Sequence, residues 1–148
     1  MFLYLLMVCA IAGVLALATV VLRRLKNRRV RQDALWSGYE QHMNELRDAS
    51  PGAELASVAQ VYQRAGSGTK AVIAWQRTGI EQDCWFEAMN PDPGDLLLLR
   101  GSPGWGPDSS SPNVFYVAAG QVLSSMTVEA QAAAARHRHR LAATGITP

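Results

Sequence analysis

Hydrophobic and polar positions give the chain three successive textures. Residues 1–22 (MFLYLLMVCAIAGVLALATVVL) hold no charged side chain, and Arg23, Arg24, Lys26, Arg28, Arg29 and Arg31 follow at once. Twenty-two residues at 1.5 Å each make a helix of roughly 33 Å, against a hydrocarbon core about 30 Å thick. The pattern predicts a transmembrane helix over 1–22. By the positive-inside rule its N-terminus lies outside, and the rest of a single-pass inner (plasma) membrane protein lies in the cytoplasm. The six basic residues then sit at the membrane surface, attracted to anionic lipid headgroups. A cleaved signal peptide ending at Ala16-Leu17-Ala18 fits less well, because no basic region precedes the run and the charges fall on its far side. A buried core helix of this length is a poorer fit still. Cys9 with Gly13, and Ala12 with Ala16, are small residues four apart, the spacing that lets two helices approach closely.

From Arg23 to Arg47 only Gly38 weakens a helix. Leu35, Tyr39, His42 or Met43, and Leu46 recur at helical spacing beside Trp36, with polar residues on the other face. The helix is therefore expected to continue as an amphipathic stalk over 23–48. Ser50-Pro51-Gly52 stops it. A second short helix is expected over 53–64, with Leu55, Val58, Ala59 and Tyr62 on one side.

The third texture is β. Strands are expected over 70–76, 81–89, 96–99 and 114–117, with Val122-Leu123 extending or edging the sheet. Turn chemistry separates them, densest at residues 90–95 (NPDPGD). Leu96–Leu99 is too short for an independent helix and reads as a strand buried on both faces. Thr127 is a plausible N-cap for a helix over 128–142, with Glu129 in its first turn and Arg136, Arg138 and Arg140 in its last, both suited to the helix dipole. The expected class is α+β: a transmembrane helix, a stalk, then a domain over 49–148. That domain is a small antiparallel sheet of about four strands, or a small open barrel, with flanking helices. Trp75, Trp85, Phe86, Phe115 and Tyr116 supply most of its apolar burial.

Composition changes this picture little. Apolar residues make up 49% and charged residues 18%, which excludes long disorder, a disulfide scaffold and a collagen-like repeat. Net charge is +2. It divides unevenly: six positive charges in 23–31, then eight Lys and Arg against twelve Asp and Glu beyond residue 32. An acidic remainder, with no aromatic interleaving in the basic stretch, argues against a nucleic-acid partner. Cys9 and Cys84 form no pairing framework, which suits a reducing compartment.

Candidate chemistry is thin. Gly66-Ser67-Gly68-Thr69-Lys70 lacks the spacing and the strand-before-helix context of a phosphate loop. His137 and His139 lie two apart among three arginines, and rings so placed on a helix diverge, so no metal is expected. Cys84 has acidic neighbours and no nearby histidine, which makes it structural. Glu81, Asp83 and Glu87 alternate along one strand face, normally a solvated face and in principle a carboxylate row for acid–base work. The loop 101–113 (GSPGWGPDSSSPN) carries Trp105 and Asp108; Trp105 between glycines is expected first to cap the open end of the sheet, and as the alternative Trp105, Asp108 and Trp36 are the residues that would contact a partner or ligand.

No cofactor and no catalytic set is expected. The sequence reads as a membrane-anchored, non-enzymatic accessory subunit or adaptor that meets lipid and a protein partner, or itself, through the span or stalk. The alternative is a small-ligand sensor or minimal enzyme built from the 101–113 loop and the Glu81/Asp83/Glu87 face.

Overall fold

The computed structural model describes residues 1–101, 103 and 114–145, with side chains given from residue 17 onward and for Met1 and Leu15. The chain forms helix α1 (Phe2–Ala49) and strands β1 (Ala53–Ala65), β2 (Gly68–Trp75), β3 (Glu81–Glu87) and β4 (Leu96–Arg100). Strand β5 (Phe115–Val117), a 3₁₀ turn (Ala119–Gln121), strand β6 (Val122–Met126) and helix α2 (Val128–Ala143) complete it. The six strands make one sheet in the order β5-β3-β2-β1-β4-β6. All neighbours are antiparallel except β3 and β5, which run parallel, with Cys84 opposite Phe115 and Phe86 opposite Val117.

This connectivity forces the sheet to curl. β5 and β6 are its opposite edges, yet only residues 118–121 separate them. Five inter-strand spacings laid flat span about 24 Å. The five-residue step from Val117 to Val122 reaches about 17 Å at most. The edges must therefore turn toward each other. The concave side encloses Ala56, Val58, Ala71, Ile73, Trp75, Cys84, Phe86, Leu97, Leu99, Phe115 and Val117. Phe115 meets Trp75 edge-on at 5.6 Å. It also lies so close to Gly101, just past β4, that a Cβ at that position would overlap its ring.

A second core fills the space between sheet and helices: Met43 of α1, Leu55, Leu96, Leu98 and Met126 of the strands, and Ala130 and Ala134 of α2, flanked by Trp36, Leu46 and Leu123. β4 serves both cores. Its odd-numbered leucines enter the concave side and its even-numbered ones face the helices, so all four are buried, as expected of a strand covered on both faces. α2 begins where its cap predicts: Thr127 Oγ1 accepts from the Ala130 N–H at 3.3 Å.

Several expectations need correction. Residues 53–65 are not a helix but β1, a central strand pairing with β2 on one side and β4 on the other. Two flanking ladders outweigh the helical preference of Ala-Glu-Leu-Ala, and Val58, Val61 and Tyr62 suit the extended chain. The sheet has six strands rather than four, and it is mixed rather than wholly antiparallel. The transmembrane expectation is also overturned: among the described residues no helix is long and apolar enough to cross a membrane. The single-pass, inner-membrane, N-outside placement falls with it. Arg23, Arg24, Lys26, Arg28, Arg29 and Arg31 instead lie exposed along one unbroken helix. Cys9, Ala12, Gly13 and Ala16 lie outside the residues whose side chains are described.

Gly68 opens β2 against the end of β3, opposite Glu87. A Cβ there would overlap the Phe86 carbonyl oxygen and come within 2.8 Å of the Trp85 ring. Gly68→Ala should therefore destabilise the fold by about 1–3 kcal/mol, read as a lower urea midpoint at constant slope. An unchanged midpoint would mean that β3 yields without loss.

Candidate functional site

The densest polar constellation lies where α2 meets α1. Asp33 is 4% exposed. Its two carboxylate oxygens accept from Arg136 Nη2 at 3.0 Å and Arg140 Nη2 at 2.7 Å. Positions 136 and 140 are four apart on α2, hence on one face, so both guanidiniums reach the same carboxylate. The hydrogen bonds from Arg140 and Arg136, in that order, hold the Asp33 carboxyl below its usual range. Seven residues on, Glu40 forms an ion pair with Arg138. His137, half-buried between these arginines, has an Nδ1 that is buried without a hydrogen-bond partner. Tyr39 adds a hydroxyl bond to Ser124 of β6 at 2.9 Å.

The seam has a pH signature. A depressed folded-state pKa means that the unfolded chain binds the proton more readily, so the Asp33 contribution is complete above the ordinary carboxyl value of 3.8 and is lost as pH falls through the lower folded value. Asp33→Asn should lower the melting temperature at pH 7, and the gap from the natural protein should shrink below about pH 4. Thermal melts between pH 7 and pH 2 check this; a gap constant over that range would show that Asp33 is not the titrating partner.

Beside the seam runs an open groove of about 920 Å³, with Ser37, Glu40, Gln41, Asn44, Glu45 and Asp48 on the α1 side and Arg138, Leu141 and Ala142 on the α2 side. Its charge is predominantly negative, because Arg138 offsets only one of three carboxylates. A second cavity of about 530 Å³ opens between α1 and the ends of β1 and β4, near Arg47, Glu54, Gln76, Arg77 and Gly101. There the Arg77 guanidinium binds Glu54 through two contacts of 3.2 Å. On the exposed α1 surface Arg24, Asn27, Arg28 and Arg31 line a shallow concavity of about 320 Å³.

The structure disperses the residues expected from sequence. Trp36 is half-buried between α1 and the sheet, edge-on to Tyr39 at 5.8 Å, and so serves packing. Trp105 and Asp108 lie outside the described residues. Glu81, Asp83 and Glu87 do share the outer face of β3, with Cys84 and Phe86 buried opposite. Tyr62 donates to Asp83 at 3.1 Å, and burial together with that bond raises the tyrosine pKa. Burial, with the Asp83 charge nearby, pushes the Cys84 thiol up, away from thiolate chemistry. Among the described residues no group of three or more His, Cys, Asp and Glu could hold a metal ion.

Sequence reasoning missed Asp33 and Glu40 as structural acids and assigned the arginines at 136, 138 and 140 to the dipole of their own helix. A signal was present. Two carboxylates seven apart on one helix, and arginines four apart on another, are complementary faces waiting to be paired. No family model matches the chain, and no curated protein or solved structure matches it.

Proposed function

We propose that this chain is a non-enzymatic protein-interaction module, an adaptor in which the curled sheet and α2 hold one end of α1 and leave its remaining length for a partner protein. One observation carries the reading. Leu15, Leu17, Val20, Val21, Leu22 and Leu25 are between 46% and 67% exposed on a regular helix. Isolated exposed apolar residues are ordinary, but a contiguous set directly beside six basic residues marks an interaction surface. Among the described residues the dispersed carboxylates, the buried thiol and the ion-paired seam offer no competing reaction centre.

Photoreactive residues placed at Leu17 and Leu22 in the full chain, expressed in cells, test the proposal. Discrete protein adducts from these sites, absent from a control probe at exposed Ser67 in the β1–β2 turn, are expected. Adducts of equal yield from all three positions, or none from Leu17 and Leu22, would overturn it.

A further inference from the structure

Exposed residues on α1 repeat with alternating steps of four and three: Arg24, Arg28, Arg31, Leu35, Gly38, His42 and Glu45. Such spacing aligns them along a single seam of the kind used in helix pairing. Sheet and α2 leave this seam open, since they cover Asp33, Trp36, Met43 and Leu46 on other faces. Three features of the seam are unexplained within one molecule. Leu35 is 75% exposed, more than any other large apolar residue described between Leu15 and Val128. Gly38, one turn further on, sits in mid-helix with open space around the position a Cβ would take; a glycine there weakens a helix but permits close approach of another backbone. Charge is also polarised along α1: positive over 23–31, where among the described residues no carboxylate lies within ion-pair distance, and negative at Glu45 and Asp48, whose contacts within the chain are exposed ones to Gln41, His42 and Arg47 of the same helix.

We infer that α1 pairs antiparallel with α1 of a second copy of this chain, about a two-fold axis near residues 36 and 37. The inference rests on the interaction-module reading and deepens it for residues 24–49 of α1; Leu15, Leu17 and Leu22 fall beyond the end of the partner's α1, which stops at its residue 49, and stay open to another protein. Antiparallel pairing about that axis sets Leu35 against the partner's Gly38, where the missing side chain leaves room. It sets Arg28 against the partner's Glu45 and brings Arg24 toward the partner's Asp48, at the mouth of the acidic groove. The two-fold repeats each contact, so the interface is self-complementary. Parallel pairing is disfavoured because it stacks six positive charges on six. A helix of any other protein would need to reproduce both the acidic stretch and the gap at Gly38; a second copy supplies both.

Sedimentation velocity of the full chain over a range of concentrations tests this. A reversible dimer is expected. Leu35→Glu should raise its dissociation constant at least about tenfold while leaving the melting temperature of the monomer unchanged, because Leu35 touches no core. Arg28→Glu and Glu45→Arg should each weaken the dimer at low salt, and the double variant should restore it, since the swap preserves every cross-pair. A dimer indifferent to Leu35→Glu, or a double swap weaker than either single one, would overturn the antiparallel register. A chain that stays monomeric overturns the inference. If Leu17 and Leu22 probes still capture other proteins in that case, the interaction-module reading survives; if they capture none, both fall.

Discussion

Trp75→Ala should lower the unfolding free energy by about 3–5 kcal/mol, the range for removing a large buried aromatic. Trp75 is the largest fully buried side chain among the described residues. It stands edge-on to Phe115 at 5.6 Å and donates its indole N–H to Gln82 Oε1 at 2.9 Å. Truncation removes three things at once: the buried ring area, the aromatic contact that ties β2 to β5, and the donor to Gln82. The concave core is curled around this ring and cannot collapse without shifting β5, so much of the cavity should persist. Trp75→Phe keeps most of the packing and loses the donor, so its loss should be smaller. Urea unfolding of both variants provides the comparison. Equal losses would place the energy in the hydrogen bond rather than in the packing.

The second large effect concerns β4. Leu97→Ala and Leu98→Ala should each cost about 2–5 kcal/mol, but at different places. Leu97 lies in the concave core and Leu98 in the layer beneath the helices. Native-state hydrogen exchange should therefore separate them. Leu98→Ala should loosen the amides of α2 and of residues 40–47 ahead of global unfolding, whereas Leu97→Ala should leave α2 as protected as its reduced overall stability allows. Identical exchange patterns would mean that the two cores open as one unit.

Legibility from sequence followed how local each cause is. α2 was readable because its cap, its first-turn acid and its alanine run are local signals, and the structure begins the helix at Val128. The burial of Leu96–Leu99 was readable because an apolar run bounded by turns leaves no exposed face. β1 was misread as a helix because its strand character comes from β2 and β4, neighbours remote in sequence. The parallel union of β3 and β5 had no local signal at all, and a three-residue strand carries almost none of its own. The uncharged N-terminal run invited a membrane reading, which the described helix does not support. At the candidate site, charges on α1 and α2 were each legible as faces, but their pairing across the molecule was not.

That pairing has a consequence for synthesis. Asp33 precedes its two arginine partners by 103 and 107 residues. At ribosomal speeds of about 5–20 residues per second, that separation corresponds to roughly 5–20 s. For most of that interval, until residues 122–143 are made, α1 has neither β6 nor α2 to shield Trp36 and Met43, so a nascent chain offers a bare amphipathic helix to whatever binds such helices. Chaperone occupancy on translating ribosomes should rise once α1 clears the exit tunnel and fall only when Arg140 emerges.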